Sequence, residues 1–423
     1  MNKFFEIIEK VLMPPMTKMA EQRHLRAIRD GIVSTMALII VGSFFLVIAF
    51  PPIPALAEMV KPYLGQILFP FRLTMGLMAL YASYGIGNSL AKSYKLDGVS
   101  GGILSLAAFL LTMVPQVMEG VGWVLPMGNL GGSGMFVAII MSIFAVEVMR
   151  FLQTRKIMFK MPEGVPDSVA RSFEALIPAA VIITTIWIVR HLLGFNIQDF
   201  IMGVFKPLVA ASNSLGGALI PILLITLLWA SGIHGVSVVG AVARPIWLTL
   251  LDENINAAAN GAEVLPNIVV EPFFQWFVWI GGSGATIALV LWMIFSKSQY
   301  LRKLGRAGLI PGICNINEPI VFGVPIMLNP ILAIPFIVGP LITGTISYIA
   351  MSLNLVARPS ILAPWTLPAP IGAYLATGGD WRAIILVLFN IALMMFIYFP
   401  FFKMYEKKLL NEEKQQEELA AAE

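Results

Sequence analysis

Long apolar stretches, separated by clusters of basic residues, constrain the fold of this chain more than any other feature. Ile32–Phe50 and Ala383–Phe402 contain no charged side chain, and a helix of roughly 17–25 residues crosses the hydrocarbon core of a bilayer. Irregular backbone cannot face lipid, so such stretches must be helical. Because 58% of the 423 residues are hydrophobic and only 12% are charged, the sequence predicts an all-α, polytopic membrane protein.

The basic clusters predict the topology. Of the 28 Lys and Arg residues, 21 fall into five clusters, and the positive-inside rule places such clusters in the cytoplasm. Both termini are therefore expected in the cytoplasm, with an even number of crossings. The clusters are Lys3–Arg29, Lys92 with Lys95, Arg150–Arg171, Lys297–Arg306 and Lys403–Lys414. The apolar runs between them cover residues 32–50, 71–90, 101–118, 133–152, 174–194, 216–232, 268–282 and 284–296.

The last third of the chain is expected to contain broken helices. Residues 319–402 form four apolar pieces, interrupted by eight prolines between Pro325 and Pro370. Such a density of proline favours re-entrant hairpins, which are tolerated where protein covers the freed backbone. Two full crossings and one or two hairpins in this region bring the total to about ten transmembrane helices. Residues 196–213 are expected to form an amphipathic interfacial segment or a linker.

The composition argues against several classes of protein. Cys314 is the single cysteine, and the three histidines lack ligand spacing, so neither a disulfide framework, a metal site nor a cofactor is predicted. The first 30 residues are mostly polar, which argues against a cleavable signal peptide. A pI near 9.1 follows from basic residues at helix ends, and no nucleic-acid partner is expected.

Glu318 and His234 are the candidate catalytic pair. An ionisable group at membrane depth costs about 2.5 kcal/mol or more, so it marks a functional site by default. Glu318 lies in an apolar, Asn-rich segment, and His234 lies between two glycines. A Glu and a His together can take a proton from a hydroxyl and orient it. The opposing interpretation, a hydrogen-bonded packing histidine, stays open at this point.

The other intramembrane polar and aromatic residues suit a neutral sugar. Hydroxyls need both donors and acceptors, and the apolar face of a pyranose stacks on an aromatic ring. We predict Trp365 as the stacking platform, Glu271 as a structural or gating carboxylate, and Asp252-Glu253-Asn254 as part of a solvent-exposed loop. The candidate substrate-binding residues are Asn315, Asn317, Arg244, Trp365 and Trp247. Arg244 has three open roles: contact with the sugar, stabilisation of Glu318, or pairing with another buried carboxylate.

Five short motifs in this order resemble enzyme IIC, the membrane component of the bacterial phosphoenolpyruvate:sugar phosphotransferase system, in its lactose, cellobiose and diacetylchitobiose branch. The N-terminal stretches at residues 13–16 and 20–31 are most similar to the diacetylchitobiose and cellobiose transporters. The motifs are Met161-Pro162-Glu163-Gly164-Val165-Pro166, Ser231-Gly232-Ile233-His234-Gly235, Val270-Glu271-Pro272-Phe273-Phe274, Ile280-Gly281-Gly282-Ser283-Gly284 and Asn315-Ile316-Asn317-Glu318-Pro319-Ile320.

The resemblance implies a homodimer in the bacterial cell membrane, with ten transmembrane helices in each subunit. It divides the chain into a scaffold and dimer-interface domain (1–195), an interfacial linker (196–214), a substrate-binding transport domain (215–410) and a cytoplasmic tail (411–423). The sugar would be a β-linked disaccharide, either N,N'-diacetylchitobiose or cellobiose. It would be phosphorylated during uptake by a phosphocysteine on a separate enzyme IIB, with Glu318 and His234 at the receiving hydroxyl.

The residues by themselves leave a second function open. Glu318 would serve equally as the proton carrier of an ion-coupled sugar symporter, in which no phosphorylation takes place. The basic cluster Lys297–Arg306 places Glu318 near the inner membrane face. A soluble phosphate donor reaches that face, and the position therefore favours phosphorylation over simple passage.

Overall fold

The apolar stretches form helices, and one short hairpin is the exception. The computed structural model describes residues 18, 21–51, 54–159, 162, 173–324, 326 and 329–422, and most of motif Met161–Pro166 lies outside them. Strands β1 (Gln116–Met118) and β2 (Gly122–Val124) pair antiparallel. The helices are α1 (Arg23–Ala49), α2 (Pro54–Val60), α3 (Leu64–Leu73), α4 (Met78–Ser93), α5 (Gly98–Leu111), α6 (Met135–Thr154), α7 (Leu176–Trp187), α8 (Ile197–Ser212), α9 (Leu215–Ala230), α10 (Gly235–Ala259), α11 (Glu271–Phe277), α12 (Ile287–Ile294), α13 (Gln299–Ile313), α14 (Glu318–Gly323), α15 (Pro330–Ser352), α16 (Ala369–Ala376) and α17 (Trp381–Ala422).

Four helices of the described residues are long and apolar enough to cross a membrane, and two bent pairs raise the number to six. The single helices are Gly132–Thr154, Gly235–Ala259, Ile331–Ser352 and Trp381–Glu413. The shorter apolar helices α5 and α9 add to them. The all-α, polytopic membrane class is thereby confirmed, and the number of ten crossings stays a prediction.

Helix α8 turns sharply away from the helix before it. The pair Leu176–Leu192 and Ile197–Ser212 bends by 86°, and Asn196 caps α8 by accepting a hydrogen bond from the Asp199 backbone N–H at 3.3 Å. Ile201 is buried in the bundle, whereas Val204 is 60% exposed. An amphipathic helix at a large angle to a membrane span is the geometry expected of the predicted interfacial segment.

Three local predictions are wrong. Residues 235–259 form a buried helix, in which Asp252 and Asn254 are 7% and 0% exposed, so they do not belong to a solvent-exposed loop. Polar residues lower the hydropathy of this helix, but protein partners satisfy them. The predicted crossings at 268–282 and 284–296 are the short helices α11 and α12, because a glycine loop separates them. Pro335 and Pro340 lie inside the continuous helix α15.

The contacts of helix α17 show at which depth along its axis other segments of the molecule lie. Its Asn390 Nδ2 donates to the Phe277 carbonyl, its Tyr398 hydroxyl donates to the Gly284 carbonyl, and its Glu406 Oε1 accepts from Ser296 Oγ at 2.7 Å. Arg382, Asn390, Tyr398 and Glu406 follow one another at intervals of eight residues, and each interval is about 12 Å along the helix at 1.5 Å per residue. Arg382 therefore lies about 36 Å from the level of Glu406, more than the roughly 30 Å hydrocarbon core. The basic segment Lys297–Arg306 and Arg382 lie at opposite membrane faces.

Helix α10 joins the N-terminal helices to the C-terminal ones. Thr249 Oγ1 donates to the Gly132 carbonyl at 3.0 Å. A Cβ on Gly132 would lie 2.6 Å from the Cβ of Asp252, so only glycine permits this approach. The loop that precedes α6 is thereby seated on α10.

Candidate functional site

A glycine loop between α11 and α12 forms one wall of the site. Gly281, Gly282 and Gly284 have φ values of +80°, +97° and +84°, which L side chains adopt only with strain. Asn317 Nδ2 donates to the Ser283 carbonyl at 2.7 Å. A Cβ on Gly282 would lie 2.5 Å from Asn317 Cγ. The loop therefore determines where Asn317, and with it the start of α14, is placed.

The Gly282→Ala variant is expected to lower the thermal unfolding midpoint clearly. The added methyl group needs both a strained left-handed φ and the space that Asn317 occupies, and such backbone strain costs about 1–3 kcal/mol. The matched control is Gly240→Ala in α10, where a Cβ meets nothing within 4 Å and alanine favours the helix. Thermal unfolding of both purified variants checks this, and an unchanged midpoint for Gly282→Ala would contradict it.

Asn315 holds the backbone around the site. Its Oδ1 accepts from the Gly281 N–H at 2.9 Å, and its Nδ2 donates to the carbonyls of Trp365 and Leu367 at 2.7 and 2.9 Å. Asn315 is 8% exposed and Asn317 is 4% exposed. Both amides, predicted as substrate contacts, connect loops to each other in this structure.

His234 and Glu318 come together across about eighty residues of sequence. His234 is the N-cap of α10, and its Nδ1 accepts from the Ser237 backbone N–H at 3.2 Å. The neutral ring therefore carries its proton on Nε2, which leaves a donor free. Glu318 begins α14 and is close enough to act electrostatically on the imidazole. Arg29 of α1 also acts on the imidazole, and the sequence analysis did not select it.

Aromatic side chains pack beside His234, which is itself exposed. The ring centroids of Trp229 and His234 are 4.4 Å apart, and Phe322 of α14 meets the Trp229 edge at 6.4 Å. The Trp229 indole Nε1 is buried without a hydrogen-bond partner among the described residues. Trp229 thus joins the ends of α9 and α10 to α14, beside the two catalytic candidates.

Glu271, predicted as a structural or gating carboxylate, forms an ion pair at the site. Arg244 donates from Nε and Nη2 to its Oε1 at 3.0 and 2.9 Å, which selects the ion-pairing alternative for Arg244. The second oxygen, Oε2, is buried without a partner among the described residues. An orphaned buried acceptor costs about 1–3 kcal/mol, so the arrangement suits an incoming hydroxyl.

A small cavity adjoins Glu271. It is lined by Trp365, Gln275 and Trp276 from the C-terminal part and by Met36 and Ile40 from α1, with a volume of about 20 Å³. That volume holds about one water molecule. The cavity is therefore too small for a pyranose ring in this structure.

Trp365 and Trp247, the two tryptophans predicted to bind the sugar, differ in solvent exposure. Trp365 is 45% exposed and lines the cavity next to Glu271, which suits a stacking platform. Trp247 is 3% exposed and packs on Phe274, with ring centroids 4.1 Å apart. Trp247 is a packing residue in this structure.

The depth of the site follows from its contacts with α17. The loop carbonyl of Gly284 lies at the level of Tyr398, about 12 Å from Glu406 at the basic face. Glu318 is thus inside the bundle yet near that face. Across the described parts of the chain, no three His, Cys, Asp or Glu side chains are arranged to hold a metal ion.

A polytopic helical bundle with short helices that present a carboxylate, an imidazole and an ion pair at membrane depth defines a transporter for a polar solute. Residues 29–340 match the family described as phosphotransferase system, EIIC. The chain belongs to this EIIC family, the membrane transporter part of the sugar phosphotransferase system, which works with EIIB.

Similar proteins span the whole chain. The cellobiose-specific EIIC component of Geobacillus stearothermophilus is 42% identical, covering 98% of this chain and 97% of the relative. The lichenan permease IIC component of Bacillus subtilis is 43% identical, covering 98% and 96%. The crystal structure of ChbC, the IIC component of the N,N'-diacetylchitobiose-specific system, matches at a TM-score of 0.91 and 43% identity, covering 96% of this chain and 99% of ChbC.

Proposed function

We propose that this protein imports a β-linked disaccharide, cellobiose or N,N'-diacetylchitobiose, and presents it for phosphorylation during uptake. The proposal is carried by the position of Glu318 within electrostatic reach of His234 near the basic face of the bundle. The similar proteins described above are named for cellobiose, lichenan and N,N'-diacetylchitobiose. Both termini would lie in the cytoplasm, and the homodimer and the domain boundaries stay predictions of the sequence.

In the proposed chemistry, Glu318 accepts the proton of the sugar hydroxyl as its oxygen attacks phosphorus. The phosphorus–sulfur bond of the donor phosphocysteine on EIIB breaks, and the thiolate leaves. His234 donates from Nε2 to the reacting oxygens, and the positive end of the α10 dipole favours the negative charge there. Phosphoryl transfer depends mainly on such positioning and electrostatics.

In the proposed binding mode, the sugar lies along α1 between the two clusters of polar groups. Arg29 and Met36 are seven residues apart on α1, or about 10 Å along its axis, which is comparable with two linked pyranose rings. The far ring would stack on Trp365 and donate to Glu271 Oε2, while the near ring would present its hydroxyl to Glu318. Asn315 and Asn317 would contribute by positioning the loops.

Uptake of labelled cellobiose separates the proposal from an ion-coupled symporter. Cells that contain EIIB and its phosphate supply are expected to accumulate phosphorylated sugar. Cells without those soluble proteins are expected to accumulate none, because transport needs the phosphoryl transfer. Accumulation of unmodified cellobiose in the second strain, abolished by an uncoupler of the proton gradient, would favour the symporter instead.

A further inference from the structure

A polar cavity of about 420 Å³ opens at the membrane face opposite to the basic segment. Its lining includes Arg358 and Arg382, and Arg382 lies about 36 Å from the level of Glu406 along α17. The volume lies in the range of small-molecule sites, about 300–1,000 Å³. None of the catalytic candidates lines this cavity.

The lining of the cavity combines a guanidinium with a carboxylate. Arg358 Nη1 donates to the Leu265 carbonyl at 2.6 Å and to the Pro266 carbonyl at 3.1 Å, whereas its Nε is buried and has no partner within the described ranges. Glu263, in the same lining, is exposed. A guanidinium has five N–H donors and a carboxylate is only an acceptor, so together they meet both needs of sugar hydroxyls.

A neighbouring ion pair keeps this end of the molecule in place. Burial raises the pKa of the Asp380 carboxyl, but hydrogen bonds from Arg382 and from the Ala357 N–H outweigh it and hold the pKa below its usual value. The ionised carboxylate accepts from Arg382 Nε at 2.8 Å and from the Ala357 N–H at 2.7 Å. The segment that carries Arg358 is therefore anchored at the start of α17.

Two further cavities lie along α1. A second cavity of about 180 Å³ shares Ala258, Ala262 and Ser360 with the first and adds Leu46 of α1 and its C-cap residue Phe50. The small cavity beside Glu271 is separate from the second, and Ile40 and Met36, farther back on α1, line it. From Phe50 to Met36 the path covers 14 residues, or about 21 Å.

Irregular backbone forms the facing wall. Residues 357–364 have neither helix nor strand structure, and the N–H groups of Ser360 and Ile361 donate to the Ala376 carbonyl at 2.9 and 3.2 Å. This segment ends at Trp365 beside Glu271. Irregular backbone at membrane depth is tolerated where protein covers it or where it lines a water-filled cavity, as an entry route would be.

We propose that the cavity lined by Arg358 and Glu263 is an outer vestibule that binds the disaccharide before it passes along α1 to the site at Glu271 and Glu318. The polar end would bind hydroxyls, and Phe50 would contact the apolar face of a pyranose. The proposal rests on the proposed function for the identity of the sugar and for the orientation in the membrane. It adds a site, and a direction of entry, that the catalytic geometry does not require.

The Ala262→Trp variant tests the vestibule by filling it. Ala262 is exposed and lines both outer cavities, so a larger side chain there obstructs the route without disturbing buried packing. We expect a several-fold higher half-saturating concentration for uptake of labelled cellobiose by whole cells, with a similar maximal rate. Asn256→Trp, exposed near the end of the preceding helix α10 and outside both linings, is the matched control and should leave uptake unchanged.

Inside-out membrane vesicles provide the decisive comparison. When cellobiose and phosphorylated EIIB are supplied at the exposed cytoplasmic face, the Ala262→Trp protein should phosphorylate the sugar at the unsubstituted rate. Unchanged uptake by cells, or equal impairment in cells and vesicles, would overturn the vestibule. Uptake without phosphorylation by the unsubstituted protein would instead overturn the proposed function, while the uptake comparison would still decide on the vestibule.

The Arg358→Gln variant tests the proposed contact between Arg358 and the sugar. Loss of a charged hydrogen-bond donor is expected to raise the half-saturating concentration for uptake by about tenfold or more, and Arg358→Lys should restore part of the difference. Arg358 also supports the Leu265 carbonyl, so protein yield and the vesicle assay are measured alongside. Normal uptake by a folded Arg358→Gln protein would exclude this contact.

Discussion

Glu318→Gln is expected to bind cellobiose as tightly as the unsubstituted protein and to phosphorylate it about 10²–10⁴-fold more slowly, the contribution typical of a general base. Glutamine keeps the size and one acceptor oxygen of Glu318, but it cannot take the hydroxyl proton. Equilibrium binding to purified protein and phosphorylation with phosphorylated EIIB measure the two effects separately.

The control for this experiment is Glu119→Gln, which removes an exposed carboxylate from the turn between β1 and β2. It is expected to change neither binding nor phosphorylation. An unchanged phosphorylation rate in Glu318→Gln would remove Glu318 from the chemical step. Weaker binding with an unchanged maximal rate would make Glu318 a substrate contact only.

Glu271→Gln is expected to weaken cellobiose binding by about tenfold or more, because hydrogen bonds to a charged group contribute about 1.5–3 kcal/mol. The maximal phosphorylation rate should change little, since Glu271 lies at the Trp365 cavity rather than beside His234. Titration of the purified variant with labelled cellobiose, together with kinetics at saturating sugar, checks both statements.

The same substitution leaves Arg244 without its anionic partner. The side chains of Arg244 and Glu271 are 19% and 11% exposed, and breaking a buried pair costs up to about 3–5 kcal/mol. Binding is therefore measured below the unfolding temperature of the variant. Full affinity in a folded Glu271→Gln protein would restrict Glu271 to holding Arg244, and Trp365→Ala would then be needed to locate the far ring.

Local sequence patterns predicted the helices well where the stretch contained no charged residue. Ile32–Phe50 ends one residue beyond α1, at its C-cap, and Ala383–Phe402 falls within α17, because both stretches are long, uncharged and mainly apolar. They failed for α10, since Arg244, Asp252 and Asn254 lower its hydropathy. Those side chains are satisfied by Glu271, by the backbone N–H groups of Gly132 and Ser133, and by Asn267 and Pro359, and these partners come from distant segments.

In the candidate site, too, the sequence predicted some residues correctly by position but did not predict their partners. Glu318 and His234 were identified from the cost of a charged group in apolar surroundings, which is a property of sequence. Asn315 and Asn317 were assigned to the sugar, but their amides hold the loops at Gly281, Ser283 and Trp365. Glu271 could be recognised only from an unpaired oxygen beside a cavity. Sequence signals the cost of a polar group but does not identify its partner.

The sequence by itself determined the membrane class, the EIIC resemblance and the position of the two groups proposed for the chemistry. These follow from hydropathy, charge placement and short motifs, all of which are local. Only the tertiary structure decided that Arg244 pairs with Glu271, that Arg29 lies within electrostatic reach of His234, and that cavities lie along α1 between Phe50 and Met36. Those facts depend on which helices pack together, because burial and hydrogen bonding join residues that are far apart in the chain.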